Sequence, residues 1–191
     1  MIFFGLGNPG IKYLMTRHNL GFMFLDFFAL HHNLRFKKMF NYALARGVVM
    51  NTEVILCKPL CFMNNSGIVV RHILNAKFPR GYNEDSFLVI CDDLNLDLGR
   101  TKLYKKGTDG GHLGLRSIIE TLDTISFMSL RLGIGQPPGI GRSEYVLANF
   151  TENELIVVRQ MLDRALEGIH LLLTRSFEAA QTFLNTRNIK K

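Results

Sequence analysis

MIFFGLGNPGIKYLMTRHN, residues 1–19, opens on a short apolar strand, Met1 to Leu6, and runs straight into a glycine turn that carries Asn8 and then His18. In an α/β domain, ligands bind in the crevice outside the carboxyl ends of the strands, so the chain itself delivers Asn8 and His18 to that address. The next segment, Leu20 to His32, places Phe22, Leu25, Phe28 and Ala29 on one helical face. Strand, glycine turn and helix in immediate succession predict an α/β fold.

The remainder of the chain continues the alternation. Asn41 to Val49 and Glu53 to Lys58 read as paired strands turning at Met50, Asn51 and Thr52. Ser66 is placed to cap a helix that stops before Pro79. The continuous apolar run SFLVIC, residues 86–91, predicts a buried central strand, and it ends at Asp92 and Asp93. Arg100 to Lys105 alternates as a strand with one wet face, Leu115 to Leu122 is helical, and Met128 to Ile134 is another strand. GQPPGIGRS, residues 135–143, reads as a loop. TENE at Thr151 opens a long amphipathic helix to about Thr174, and Ser176 begins a last one.

With 191 residues, 47% of them hydrophobic and 20% charged, the chain has enough apolar surface to close one core. One domain over residues 1–188 is expected, followed by a short basic tail at 189–191. Three cysteines make an odd count without the spacing of a secreted disulfide scaffold. The first apolar run is too short and lacks the basic lead of a signal peptide, and no stretch approaches the roughly 20 apolar residues of a membrane span. A cytoplasmic protein with no membrane partner is expected. The net charge of +7 favours a polyanionic partner. Arg100, Lys102, Lys105 and Lys106 cluster around Tyr104, either as a solvated strand and turn or as a phosphate-contacting surface.

GLGNPG matches the dinucleotide pattern G-x-G-x-x-G, but Pro9 removes a backbone N–H from the turn, and the acid about twenty residues on, Asp26, falls within the predicted helix. No nucleotide cofactor is expected; the glycines then serve the turn that presents Asn8. His18 can simply bond the chain, or it can accept a proton from water if a carboxylate fixes its tautomer. Asp92 is the best-placed carboxylate for that task and Asp93 the fallback, since side chains alternate along a strand and only one of the two faces the site. In FMNNSG, residues 62–67, Asn65 and Ser66 are available for capping, which leaves Asn64 free to bind substrate or steady an oxyanion. GTDGGHLG, residues 107–114, leads His112 into a helix whose N-terminus would suit a phosphate or ribose, or else it is a plain loop. No G-x-S-x-G is present for a serine hydrolase. Cys57, Cys61, Cys91 and His112 lack the paired spacing of a zinc site, so no metal is expected.

GLGNPG with Tyr13, TRHN-x-G, FMN-x-SG, an Asp ending a buried strand, GGH and LR-x-GIG follow one another from Phe3 to about Leu147. Together they resemble bacterial-type peptidyl-tRNA hydrolases. The resemblance implies a monomeric single α/β domain with a twisted mixed sheet packed between helices. It implies hydrolysis of the ester joining a peptide to the 3′-terminal ribose of tRNA, without metal or covalent intermediate. His18 then matches the base that activates water, and Asp92 the group that orients and charges it. Asn8 and Asn64 match the amides that hold peptide and tRNA 3′ end, while Tyr13 and Met63 match cleft walls. His112, with Gly110, Gly111 and Leu113, matches the border of the acceptor-end channel, and Lys102, Lys105, Lys106 and Arg131 would grip phosphates. Two positions depart from the family pattern: Leu113 stands where an asparagine is usual, and Tyr104 where a second basic residue is usual. A relative that keeps the fold and binds RNA with little hydrolase activity is the alternative.

Overall fold

In the computed structural model, which describes residues 1–136 and 139–187, the opening apolar run forms β1 (Ile2–Gly5), buried throughout. Single 3-10 turns at Ile11–Tyr13 and Arg17–Asn19 bring the chain into α1 (Leu20–His31). A two-residue β2 (Lys37–Lys38) follows, then β3 (Tyr42–Val49) and β4 (Thr52–Pro59). Met50 and Asn51, with φ of 48° and 63°, close the β3–β4 hairpin, the two positive values that match the right-handed twist of its strands. A 3-10 turn at Met63–Asn65 leads to α2 (Ser66–Lys77), and the SFLVIC run becomes β5 (Phe87–Asp93), which takes in both acids. Then come β6 (Thr101–Tyr104), α3 (Leu113–Leu122), β7 (Met128–Gly133), α4 (Arg142–Leu147), α5 (Glu152–Thr174) and α6 (Phe177–Asn185). α5 starts on the expected capping box, Thr151 with Glu154, and α6 on Ser176.

The seven strands form one sheet in the order β2-β3-β4-β1-β5-β7-β6. β4, β1, β5 and β7 run parallel, while at one edge β3 pairs antiparallel with both β4 and β2, and at the other β6 pairs antiparallel with β7, which makes the sheet mixed as expected. One face packs Phe3, Leu56 and Leu88 against Leu20, Phe24 and Phe28 of α1, Met161 and Ile169 of α5, and Leu184 of α6. The other packs Phe4, Cys57 and Val89 against Val69 and Ile73 of α2 and Leu115 and Ile118 of α3. Each fully buried side chain of this size contributes about 1.5–3 kcal/mol.

Three local expectations are corrected. β2 was not anticipated, because two exposed lysines carry no alternation; it exists through pairing with β3. The segment read as a loop to residue 143 already turns helical at Arg142, in a single short helix whose only buried residue is Tyr145; its residues 137 and 138 lie outside the described residues, as do residue 188 and the tail at 189–191. Ser66 does not cap α2, since its Oγ donates to the Met63 carbonyl. The N–H of Gly67 is met instead by Ser117 Oγ of α3 at 3.0 Å.

β1 leads through α1 on one face, whereas β5 leads through α3 on the other, so the strands' connections part between these two neighbours. At such a switch point a crevice opens at the carboxyl ends. α1 sits hard against it: a Cβ on Gly21 would lie 2.3 Å from the Ile90 carbonyl oxygen and 2.5 Å from the Leu6 nitrogen. Only glycine there lets the residues preceding α1 reach the end of β5.

Candidate active site

Asn8 follows β1 and is held at both its backbone and its side chain. Its N–H donates to Asn19 Oδ1 at 2.8 Å, and its carbonyl accepts from Asn19 Nδ2 at 3.0 Å. The Asn8 Oδ1 accepts the Met63 N–H at 2.9 Å, which fixes the amide orientation and leaves Nδ2 as the donor facing the cleft. The same bonds engage backbone donors of the G-x-G-x-x-G turn and of the helix after it. The Asn8 N–H is taken by Asn19 and the Phe22 N–H by the Leu6 carbonyl, so neither is available to cradle a pyrophosphate. Asp26 lies on the outer side of α1, paired with Lys58 at 2.6 Å.

His18 sits in the 3-10 turn just ahead of α1. Its predecessor, the buried Arg17, forks onto both carboxylate oxygens of Glu154 at 2.8 Å and donates to the Asn149 carbonyl at 3.0 Å, with its guanidinium over the Tyr145 ring. The turn is thereby tied to the start of α5. His18 Nδ1 lies 2.9 Å from Asp92 Oδ1, and His112 Nε2 lies 3.0 Å from the same oxygen. His112 Nδ1 accepts the N–H groups of Gly114 and Leu115 at 3.1 and 3.3 Å, so its proton is on Nε2 and points at Asp92. An ionised Asp92 accepts only, so His18 donates from Nδ1 and keeps a lone pair on Nε2.

The electrostatics follow from this arrangement. Burial alone would raise the Asp92 pKa, but the two imidazoles outweigh it and hold the carboxyl well below its ordinary range. Burial opposes charge on His18, yet the Asp92 carboxylate more than offsets it, and the His18 pKa rises. Burial dominates at His112 and lowers its pKa. A proton on His112 Nδ1 would also break the bonds from Gly114 and Leu115, so in this pair His18 is the ring that charges.

Asn8, Tyr13, His18, Met63, Asn64, Asp92, Gly110, Gly111, His112, Leu113 and Arg131 all line one cleft of about 410 Å³, at the carboxyl ends of the parallel strands. Met63 is buried while Asn64 is exposed, and Asn65, the residue at the N-cap of α2, makes no side-chain capping bond there. Phe62, 59% exposed, and Leu113, 49% exposed, give the rim apolar surface. At the N-terminus of α3, His112 Nδ1 accepts the N–H groups of Gly114 and Leu115 and so takes those two donors away from any phosphate. The Asp93 fallback is overturned. Strand alternation turns Asp93 away from His18, and although it still lines the cleft, its Oδ1 accepts the Asn95 N–H at 2.8 Å and its Oδ2 lies 3.6 Å from Arg131.

Of the basic residues, Arg131 is buried, donating to Thr108 O and Ser129 Oγ, with its guanidinium 5.8 Å from the Tyr104 ring. Lys102 pairs with it across β6 and β7. Lys105 lies 3.3 and 3.2 Å from Glu84 and Asp85, whereas Lys106 is exposed. Lys102, Lys105 and Lys106 lie outside the residues lining the cleft.

His18, Asp92 and His112 are the group among the described residues with three potential metal-ligand atoms close together. Their contacts lie at hydrogen-bond distances of 2.9 and 3.0 Å, and a proton donated by each ring to Asp92 orients His18 as a base. Cys57 and Cys91 are buried, and burial pushes both thiols far up.

Sequence reasoning left Arg17, Asn19 and Ser117 unassigned. The first two stand beside His18 within TRHN, and that adjacency was the available signal; nothing local marks Ser117 as a cap for α2.

A model of the peptidyl-tRNA hydrolase family matches residues 2–191. A peptidyl-tRNA hydrolase of Thermotoga petrophila is 38% identical over 191 residues, covering 100% of both chains. One from Thermodesulfovibrio yellowstonii is 37% identical over 185 residues, 97% of this chain and 98% of that one. The crystal structure of peptidyl-tRNA hydrolase from Acinetobacter baumannii superposes with a TM-score of 0.89 at 32% identity, covering 97% of this chain and 94% of that one. A peptidyl-tRNA hydrolase solved in complex with n-propanol gives 0.90 at 31%, covering 99% and 96%.

Proposed function

We infer that this chain, which belongs to the peptidyl-tRNA hydrolase family and hydrolyses peptidyl-tRNA, does so with His18 as the general base. The observation that carries this role is the Nδ1 contact to Asp92, which leaves the Nε2 lone pair of His18 for water in the cleft. Water held at Nε2 attacks the ester carbonyl as its proton passes to His18. The resulting oxyanion accepts from Asn8 Nδ2 and the Asn64 amide. As the tetrahedral species collapses, the C–O bond to the ribose breaks, and the His18 imidazolium returns its proton to the departing ribose oxygen. Free tRNA and a peptide acid are the products. Asp92 stabilises the charged imidazole, and His112 positions Asp92.

The residues that address the substrate divide by chemistry. Tyr13, Met63 and Leu113 wall the peptide and the terminal nucleotides, with the Gly110–Gly111 turn beneath them. Lys102, Lys106 and Arg131 face the acceptor-stem phosphates, with Lys105 shared between them and its acidic neighbours. The resemblance to the family supports action as a monomer, and the odd, unpaired cysteines support a reducing, cytoplasmic setting.

The test compares N-blocked aminoacyl-tRNA with free aminoacyl-tRNA on purified protein and on His18→Ala. Hydrolysis of the blocked ester, lost in the variant while tRNA affinity stays within a few-fold, is the expected result. Unaltered turnover in His18→Ala would remove the base assignment, and binding without any hydrolysis would turn the reading towards an RNA-binding relative.

A further inference from the structure

Far from the cleft, at the opposite end of α1, two imidazoles meet nitrogen to nitrogen. His32, the residue that ends α1, and His170, near the end of α5, bring their Nε2 atoms to 2.9 Å, with ring centroids 5.0 Å apart. Both rings are partly exposed and rest on Phe28, whose ring centroid is 4.5 Å from that of His32 and 6.4 Å from that of His170. His31 stands beside them. Its Nδ1 donates to the Phe27 carbonyl at 2.9 Å, which leaves Nε2 as a lone pair. Glu167 lies one turn before His170 on α5 and is felt by it electrostatically.

The geometry points to a divalent transition-metal site, for Zn²⁺, Ni²⁺ or Cu²⁺, formed by Nε2 of His32 and Nε2 of His170. Two neutral imidazoles can face each other at this distance only if one donates to the other. Moving that single proton to Nδ1 of the donating ring exposes two convergent lone pairs without changing the charge of the protein. Two nitrogens on one tetrahedral ion at about 2.0–2.1 Å stand about 3.3 Å apart, a small opening from the observed separation. Imidazole nitrogen selects this group of ions over Mg²⁺ and Ca²⁺, which prefer oxygen. Water would complete the shell of an ion held by these two nitrogens. A bound ion would staple the carboxyl end of α1 to α5, the two helices whose amino ends are already joined by Arg17 and Glu154.

The test titrates chelator-treated protein with ZnCl₂ and with NiCl₂, reading heat and melting temperature. One equivalent bound beyond that of the His32→Gln/His170→Gln variant is expected, with a rise in melting temperature of about 2–5 °C that the variant lacks. Hydrolysis by the variant should match that of the parent. Equal uptake by parent and variant, or no uptake by the parent, overturns the site. Should the variant fold poorly, the imidazole resonances of the unaltered protein decide: Zn²⁺ must perturb those of His32 and His170 at lower concentration than those of His18 and His112, and the reverse order overturns it.

Discussion

His112 donates from Nε2 to Oδ1 of Asp92 at 3.0 Å, on the oxygen that also takes the Nδ1 proton of His18. Two helical layers therefore converge on one carboxylate oxygen, His18 arriving from the α1 side and His112 from the α3 side. His112→Ala should lower kcat about 10- to 100-fold with KM within a few-fold, because the lost donor acts through Asp92. With its charge no longer shared and water admitted beside it, Asp92 would hold the His18 proton more strongly. The acid limb of the pH profile should move upward; a profile that falls in height without moving would assign His112 a purely structural part.

The pH dependence has a definite sign. A base must be neutral, and Asp92 raises the pKa of His18, so kcat/KM should rise with pH along a limb centred above the ordinary imidazole value of 6.5. In Asp92→Asn the anion is gone and burial alone acts, so the limb should shift to lower pH while kcat drops roughly 100-fold or more. For the fold, Asp92 contributes stability that is present above the ordinary carboxylate value of 3.8 and is lost as pH falls through its depressed folded value. His112 acts in the same direction below 6.5, where the unfolded chain takes up a proton that the folded site resists. His18 acts in the opposite direction, its contribution fading as pH rises through its raised value. Denaturant unfolding across pH should therefore show Asp92→Asn less sensitive to strong acid than the parent.

Asn19→Ala strips both partners from the Asn8 backbone, a buried N–H and a buried carbonyl. A loss of about 2–3 kcal/mol is expected, read as a melting temperature lower by roughly 4–10 °C. KM should rise as Asn8 loosens. Unchanged KM at full stability loss would show that the Met63 bond alone is enough to aim the amide.

Leu113 presents an apolar surface where the family usually has an amide. Leu113→Asn supplies one donor and acceptor at the cleft, and a gain of one neutral hydrogen bond would lower KM by about 2- to 10-fold. Steady-state kinetics on one blocked aminoacyl-tRNA reads this directly. Equal or poorer kinetics would mean that the cleft has been rebuilt around leucine.

Lys106→Glu should weaken tRNA binding more than Lys105→Glu, because Glu84 and Asp85 already neutralise part of the Lys105 charge. The slope of log K against log salt should fall by about 1 for each phosphate contact removed. Equal losses at the two positions would indicate that RNA displaces the acidic neighbours.

Elements with strong local signals were readable before any coordinates: the apolar β5 run, the Thr151 capping box, the turn that carries Asn8, and the order of motifs that named the family and nominated His18 and Asp92. These features are written in periodicity, turn chemistry and residue type within a few positions of one another. What the sequence leaves open is every relation that crosses the sheet. Ser117 capping α2, Arg17 reaching Glu154, and Asn19 clasping Asn8 each depend on which element lies against which. So does the difference between adjacent acids: Asp92 receives two histidines and Asp93 meets Arg131, because pleating sends neighbours to opposite faces and only packing decides which face holds His18. The role of His112 changed for the same reason. A histidine before a helix can meet a ligand or its own backbone, and the approach of α3 to β5 made it a cap and a support for Asp92.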